Sequence, residues 1–172
     1  CCLGRGRLGD RQEIGMTTNM TTGMTTGMTI TLACHVGIGP MVEGVALVAD
    51  DNFSARYDLD RVNGVFSRPQ HRLYGQSYRD VILVLNTAKG GVATAWMLHE
   101  MVSRDVAPKA LLLNAANTIL AQGAALANMA MCDRFADGDV TELIETGDRL
   151  TVDPAAGLVT IMDRTGQGRE GG

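Results

Sequence analysis

At 172 residues and 18.3 kDa the chain has the length of one domain and enough of it to bury a core unaided. Hydrophobic residues at 45% and charged residues at 20% exclude a wholly disordered chain. A net charge of -4, a pI near 5.3 and no basic run beyond the scattered Arg5, Arg7 and Arg11 argue against binding a phosphate backbone, and no apolar run nears the roughly 20 residues that cross a bilayer. Neither nucleic acid nor a membrane is therefore expected as a partner.

Residues 1–28 open with Cys1 and Cys2 and then repeat a four-residue unit, Met16-Thr-Thr-Asn, Met20-Thr-Thr-Gly and Met24-Thr-Thr-Gly, up to Met28-Thr29. They hold no continuous apolar stretch of the kind a secretory signal needs. A disordered low-complexity extension or a mis-set start is expected there. The domain proper is expected over residues 29–163, with a flexible, Gly-rich tail over 164–172.

Within the domain, Thr29 to Val36 and Val42 to Ala49 are short, β-branched and punctuated by glycine, which predicts strands. Cys34 and Cys132 lie in apolar surroundings at no metal-ligand spacing, so reduced, buried thiols in a cytoplasmic protein are expected and no metal site of the chain's own. Asp50 to Asp60 then has neither helical nor strand periodicity; its carboxylates suit general bases and Arg56 suits a carboxylate clamp, while a solvated acidic loop is the plain alternative. His35, His71 and His99 do not cluster, and no Ser-His-Asp arrangement can be argued.

Val81 to Leu85 is a continuous apolar run, as in a strand buried on both faces. A helix is predicted from Gly91 to Arg104, with Met97, Leu98, Met101 and Val102 at helical spacing and Pro108 beyond its end, before the apolar run Ala110 to Leu113. Trp96 and the methionines of this helix are expected in the core. These three segments make one β-α-β crossover. Asn117 to Met131 is a second predicted helix, Ala-rich and interrupted by Gly123, which suggests close packing. Arg149 to Asp153 and Leu158 to Met162 alternate about the turn Pro154-Ala-Ala-Gly157 as a hairpin does.

The richest local feature is Leu85-Asn86-Thr87-Ala88-Lys89-Gly90-Gly91-Val92-Ala93-Thr94, which joins a buried strand to a helix start through two glycines. Free amides of a first helical turn, glycines that let a ligand approach the backbone, and the Lys89, Thr87 and Thr94 side chains would hold a carboxylate or phosphate. A tight turn with a threonine cap explains the same residues equally well. The stretch is neither a Walker loop nor a dinucleotide fingerprint.

Residues 43–163 resemble, in order, the small swivel domain of the aconitase X family of aconitase-like dehydratases. That family runs as a strand, a D-E-P-L-S-F-W-G-G-V-D type loop, a Gly, an H-x-L-Y-G-Q-S type segment, a buried strand and an S-G-R-G-S-S-T-G type loop before a helix. Here stand Glu43 to Asp51, Ser54 to Asp60, Gly64, His71-Arg-Leu-Tyr-Gly-Gln-Ser77, Val81 to Asn86 and Thr87 to Thr94, of which His71 to Ser77 is the most specific.

The resemblance implies an α/β fold of swivelling β/β/α type. It implies a small subunit that acts only with a large catalytic subunit, an iron or iron–sulfur centre held by that partner as Lewis acid, and loss of water from an anionic small-molecule substrate, a hydroxy acid such as cis-3-hydroxy-L-proline or a phosphorylated mevalonate. By the same resemblance Thr87 is the catalytic acid/base candidate, Lys89, Gly90 and Gly91 bind substrate, and Arg56 and Asp60 are loop candidates. Gly91, Val92 and Ala93 replace the family's serines and threonine, and Arg56-Tyr57-Asp58 its W-G-G. The loop is also similar to the T-x-x-G-G-x-x-S-H loop of phosphohistidine swivel domains, although Ala95 stands where that chemistry needs His. A non-catalytic anion-binding module is the third reading.

Overall fold

The computed structural model describes residues 29–164; the extension expected over 1–28, and all of the tail expected over 164–172 except Arg164, lie outside the described residues. In chain order come β1 (Ile30–Ala33), β2 (Val42–Ala49), β3 (Leu59–Asp60), β4 (Val65–Phe66), β5 (Ile82–Thr87), α1 (Val92–Ser103), β6 (Ala110–Ala115), α2 (Thr118–Leu126), β7 (Ala130–Asp133), α3 (Val140–Leu143), β8 (Arg149–Asp153) and β9 (Leu158–Asp163). Among these residues no helix is long and apolar enough to cross a membrane.

Seven strands form one sheet in the order β1-β9-β8-β2-β5-β6-β7. From β2 to β7 the pairing is parallel, and from β2 through β8 and β9 to β1 it is antiparallel. The crossover expected from the sequence is β5-α1-β6, and the expected hairpin is β8-β9. The apolar run of β5 shows why its sequence lacks alternation. Leu83 and Leu85 pack with Leu98, Met101 and Leu120 on the helix side, while Ile82 and Val84 pack with Leu150, Val152, Val159 and Ile161 of the antiparallel strands. A strand covered on both faces needs apolar side chains at every position. The layers are therefore antiparallel strands, parallel strands and helices, the expected β/β/α order.

After β1 the chain runs alongside β7: Ile38 and Met131 exchange N–H···O bonds of 2.9 and 2.8 Å, which covers an edge left open to solvent otherwise. This course also brings Cys34 beside Cys132. Cys132 is buried as expected, but Cys34 is only half-buried, and β1 ends at Ala33, short of the expected Val36.

Two further expectations are corrected. The second helix does not reach Met131: Asn128 takes a left-handed conformation (φ 50°), which stops α2 at Leu126, and Ala130 to Asp133 become β7. Trp96 is not in the core; it is 72% exposed, because α1 buries the stripe Thr94, Leu98 and Met101 and turns Trp96 outward with Val92. Gly123 does mark close packing, since a Cβ there would lie 2.6 Å from Ala95 Cα in α1. The two-residue strands β3 and β4 and the short α3 have no counterpart in the predicted elements.

Candidate functional site

The two polar stretches singled out in the sequence meet at the carboxyl end of the parallel strands. Beyond β2 the chain continues as a short parallel neighbour of β5: Asn86 N–H donates to Asp51 O at 2.9 Å, Phe53 N–H to Thr87 O at 2.9 Å and Lys89 N–H to Phe53 O at 2.7 Å. This ladder sets Ser54 abreast of Lys89. Between them lies a cleft of about 570 Å³ lined by Ser54, Tyr57, Arg68, Lys89 and Gly90. The carboxyl edge of parallel strands is where open α/β sheets bind ligands.

Gly90 has φ +139°, and a Cβ on it would come within 2.2 Å of Thr94 Oγ1, so glycine is required here on both counts. Its carbonyl accepts from Asn117 Nδ2 at 3.3 Å, while Asn117 Oδ1 caps α2 by accepting from Leu120 N–H at 2.7 Å. In a trans peptide the Gly91 N–H then points away from α2. Gly91 occupies the N-cap of α1 with no side-chain capping bond and no acidic residue in the first turn, so this helix end keeps its positive partial charge. The threonine-cap alternative is not realised. Lys89 is exposed, with no ion-pair partner among the described residues.

Across the cleft the 54–58 turn is organised by Asp58, which is 1% exposed: Oδ2 accepts from Ser54 N–H at 2.7 Å and Oδ1 lies 3.2 Å from Arg68 Nη1. Ser54 and Thr94 are buried, and neither hydroxyl has a hydrogen-bond partner among the described residues.

The other candidates fall around this centre. Thr87, at the end of β5, donates its hydroxyl to Asn86 Oδ1 at 3.3 Å and does not line the cleft. Arg56 is exposed, its guanidinium 5.4 Å from the ring centroid of Tyr57, a cleft-lining residue, and so stands at the rim. Asp60 lies outside the cleft. Its carboxylate accepts from Asn63 Nδ2 and from the amides of Val62 and Asn63, bonds that hold its pKa below the ordinary carboxylate range. His71 is buried, stacked on Phe66 at 4.6 Å, with Nδ1 accepting from Leu73 N–H at 3.1 Å. Ala95 packs against Gly123, and His99 lies one turn further on the exposed face of α1, so among the described residues no histidine stands at the helix mouth.

Sequence reasoning missed Arg68, whose nearness to Lys89 depends on a buried carboxylate ten residues upstream. It also missed a polar network on the other side of the strand edge. There Asn114 Nδ2 donates to Asp139 Oδ1 at 2.7 Å and to Asn86 Oδ1 at 3.3 Å, and Asn86 Nδ2 donates to Asp50 Oδ1 at 3.2 Å.

A β/β/α domain with an uncapped helix start at its parallel-strand edge is the architecture of a swivel domain. The chain belongs to the aconitase X swivel domain family, whose pattern matches residues 31–161. It is 31% identical over 135 residues to the phosphomevalonate dehydratase small subunit of Methanococcoides burtonii, a match that covers 78% of this chain and 98% of that one. To the protein of the same name from Methanocella arvoryzae it is 31% identical over 123 residues, 72% of this chain and 92% of that one. The crystal structure of Thermococcus kodakaraensis aconitase X in its holo-form superimposes with a TM-score of 0.72 at 26% identity, over 78% of this chain and 99% of that chain.

Among the described residues no three His, Cys, Asp or Glu side chains come together to hold a metal, so the described residues do not fit an iron or iron–sulfur centre. The cleft offers cations, hydroxyls and amide donors, a set that suits an anion.

Proposed function

We propose that the chain is the small subunit of an aconitase X type hydro-lyase, a separate large subunit closing over the cleft and supplying the metal centre. The reaction is the loss of water from an anionic hydroxy acid, and the names of the relatives favour a phosphorylated mevalonate over a hydroxyproline. In this scheme Lys89 and the free amides at Gly91 and the start of α1 anchor an anionic group, Gly90 lets it approach the backbone, and the partner excludes water. Anchoring holds the hydroxyl and the departing proton in register with the partner's groups, which is where positioning lowers a barrier. Thr87 is kept as the acid/base candidate of this chain. Its hydroxyl, bonded to Asn86 Oδ1 at 3.3 Å, lies outside the residues that line the cleft. Arg56 serves at the rim, and Asp60 holds the turn that carries the loop.

The observation that carries the proposal is the uncapped α1 end with Lys89 facing the cleft. Its test is Lys89→Ala in the complex of both subunits. Loss of a charge-assisted contact of about 1.5–3 kcal/mol lowers kcat/KM roughly 10- to 100-fold. An unchanged kcat/KM removes Lys89 from the site.

A further inference from the structure

The cleft holds two cations from two different loops, and the function proposed above uses only Lys89. Arg68 is 50% exposed and tied to the buried Asp58 by one of its amino groups. A guanidinium has five N–H donors in a planar fork, so the rest of the fork stays free to meet a ligand. Asp58 is in turn fixed by Ser54 N–H at 2.7 Å, and its carbonyl by Ser67 N–H at 2.8 Å. The arginine is thereby aimed from a rigid post and not left to swing in solvent.

A second observation points to a ligand independently. Ser54 lines the cleft and is 7% exposed, yet among the described residues its hydroxyl has no hydrogen-bond partner; Thr94 Oγ1, beside Gly90, has none there either. A buried hydroxyl left unpaired costs about 1–3 kcal/mol, a cost that a ligand oxygen can relieve. The cleft thus presents a lysine, an arginine fork and a helix end to one volume, with the unpaired Ser54 hydroxyl buried in its wall. A carboxylate has two oxygens and one charge; a phosphoryl group has three oxygens and close to two charges, and uses all of these donors.

We propose that Arg68 is a specificity-determining residue of this site, its guanidinium and the Ser54 hydroxyl reading a phosphoryl group seated against Lys89 and the start of α1. The proposal rests on the dehydratase function for its substrate, a phosphorylated hydroxy acid, but the anion site can be tested without it.

The experiment is a titration of the full 172-residue chain, labelled with nitrogen-15, with inorganic phosphate. Amide shifts are expected at Ser54, Arg68 and Lys89 to Val92, with affinity about 10- to 100-fold weaker in Arg68→Ala and partly kept in Arg68→Lys. Should Arg68→Ala fail to fold because Asp58 is left unpaired, the double variant Asp58→Asn, Arg68→Gln, which strands no buried charge, takes its place. In the complex of both subunits Arg68→Ala raises KM for the phosphorylated acid by the same factor, and raises it more than KM for the unphosphorylated acid. Phosphate shifts absent from these residues, or unchanged affinity in the Arg68 variants, overturns the inference. If phosphate binds through Arg68 while the complex dehydrates nothing, the dehydratase proposal fails and this site stands. An active complex indifferent to Arg68 gives the reverse.

Discussion

Cys34 and Cys132, far apart in sequence, show how the fold gives similar residues different chemistry. The two free thiols lie side by side, and hydrogen bonding from Cys132 draws the Cys34 pKa below its ordinary value of 9.0, while the same interaction and burial push Cys132 up. Since the thiolate is the nucleophile, iodoacetamide at mildly alkaline pH should label Cys34 first and Cys132 only on unfolding, as read by peptide mass mapping. Equal labelling rates in the folded chain would show that the bond does not set their reactivity. At this scale the sequence pointed to residues that their own loop places at the cleft, as it does Lys89 and Gly90. It was silent about Arg68, whose role needs the burial of Asp58, and it misled for Trp96, because bulk and apolarity do not tell which side of α1 faces the sheet.

Among the elements, the contact of α1 with α2 depends on Gly123. Alanine there would gain about 1 kcal/mol in helix propensity, but its Cβ would meet Ala95 backbone at 2.6 Å, and overpacking against backbone costs about 1–3 kcal/mol. The clash wins, so Gly123→Ala should lower stability in urea unfolding; a stabilised variant would mean the helices separate freely. At the other strand edge Asp139 caps α3, its carboxylate accepting from Thr141 and from Asn114. These bonds, that from the Thr141 hydroxyl foremost, lower its pKa from the ordinary 3.8. The folded value lies below the unfolded one, so the stabilisation is complete above 3.8 and is lost as pH falls through the folded value. Asp139→Ala should therefore cost about 1 kcal/mol at neutral pH, shrinking in acid, as unfolding curves at several pH values would record. A deficit constant down to low pH would exclude the carboxylate as its source.

The crossover and the hairpin were legible because a doubly buried strand writes a continuous apolar run and a hairpin writes alternation about Pro154 to Gly157. The end of α2 was not legible. Asn128 reverses the chain without a glycine or proline to announce it, and the following strand continues the apolar pattern of the helix. Two-residue strands such as β3 and β4 are too short to carry any period.

For the whole molecule, the covered β7 edge and the two cores buried on opposite faces of the parallel strands make a rigid frame. The frame presents the cleft between Ser54 and Lys89 at the carboxyl edge of its parallel strands. Under the proposed function this cleft is one half of a shared site, which is why the relatives' standing as small subunits matters to it. The measurement that tests this most directly is purification of the tagged full-length chain from its native cells, with mass spectrometry of what accompanies it and a dehydration assay on the isolated complex. A stoichiometric, iron-bearing large subunit and a complex that dehydrates a phosphorylated hydroxy acid, neither chain doing so alone, is the result expected. A folded chain that emerges alone, or a complex without dehydratase activity on any hydroxy acid, would contradict it.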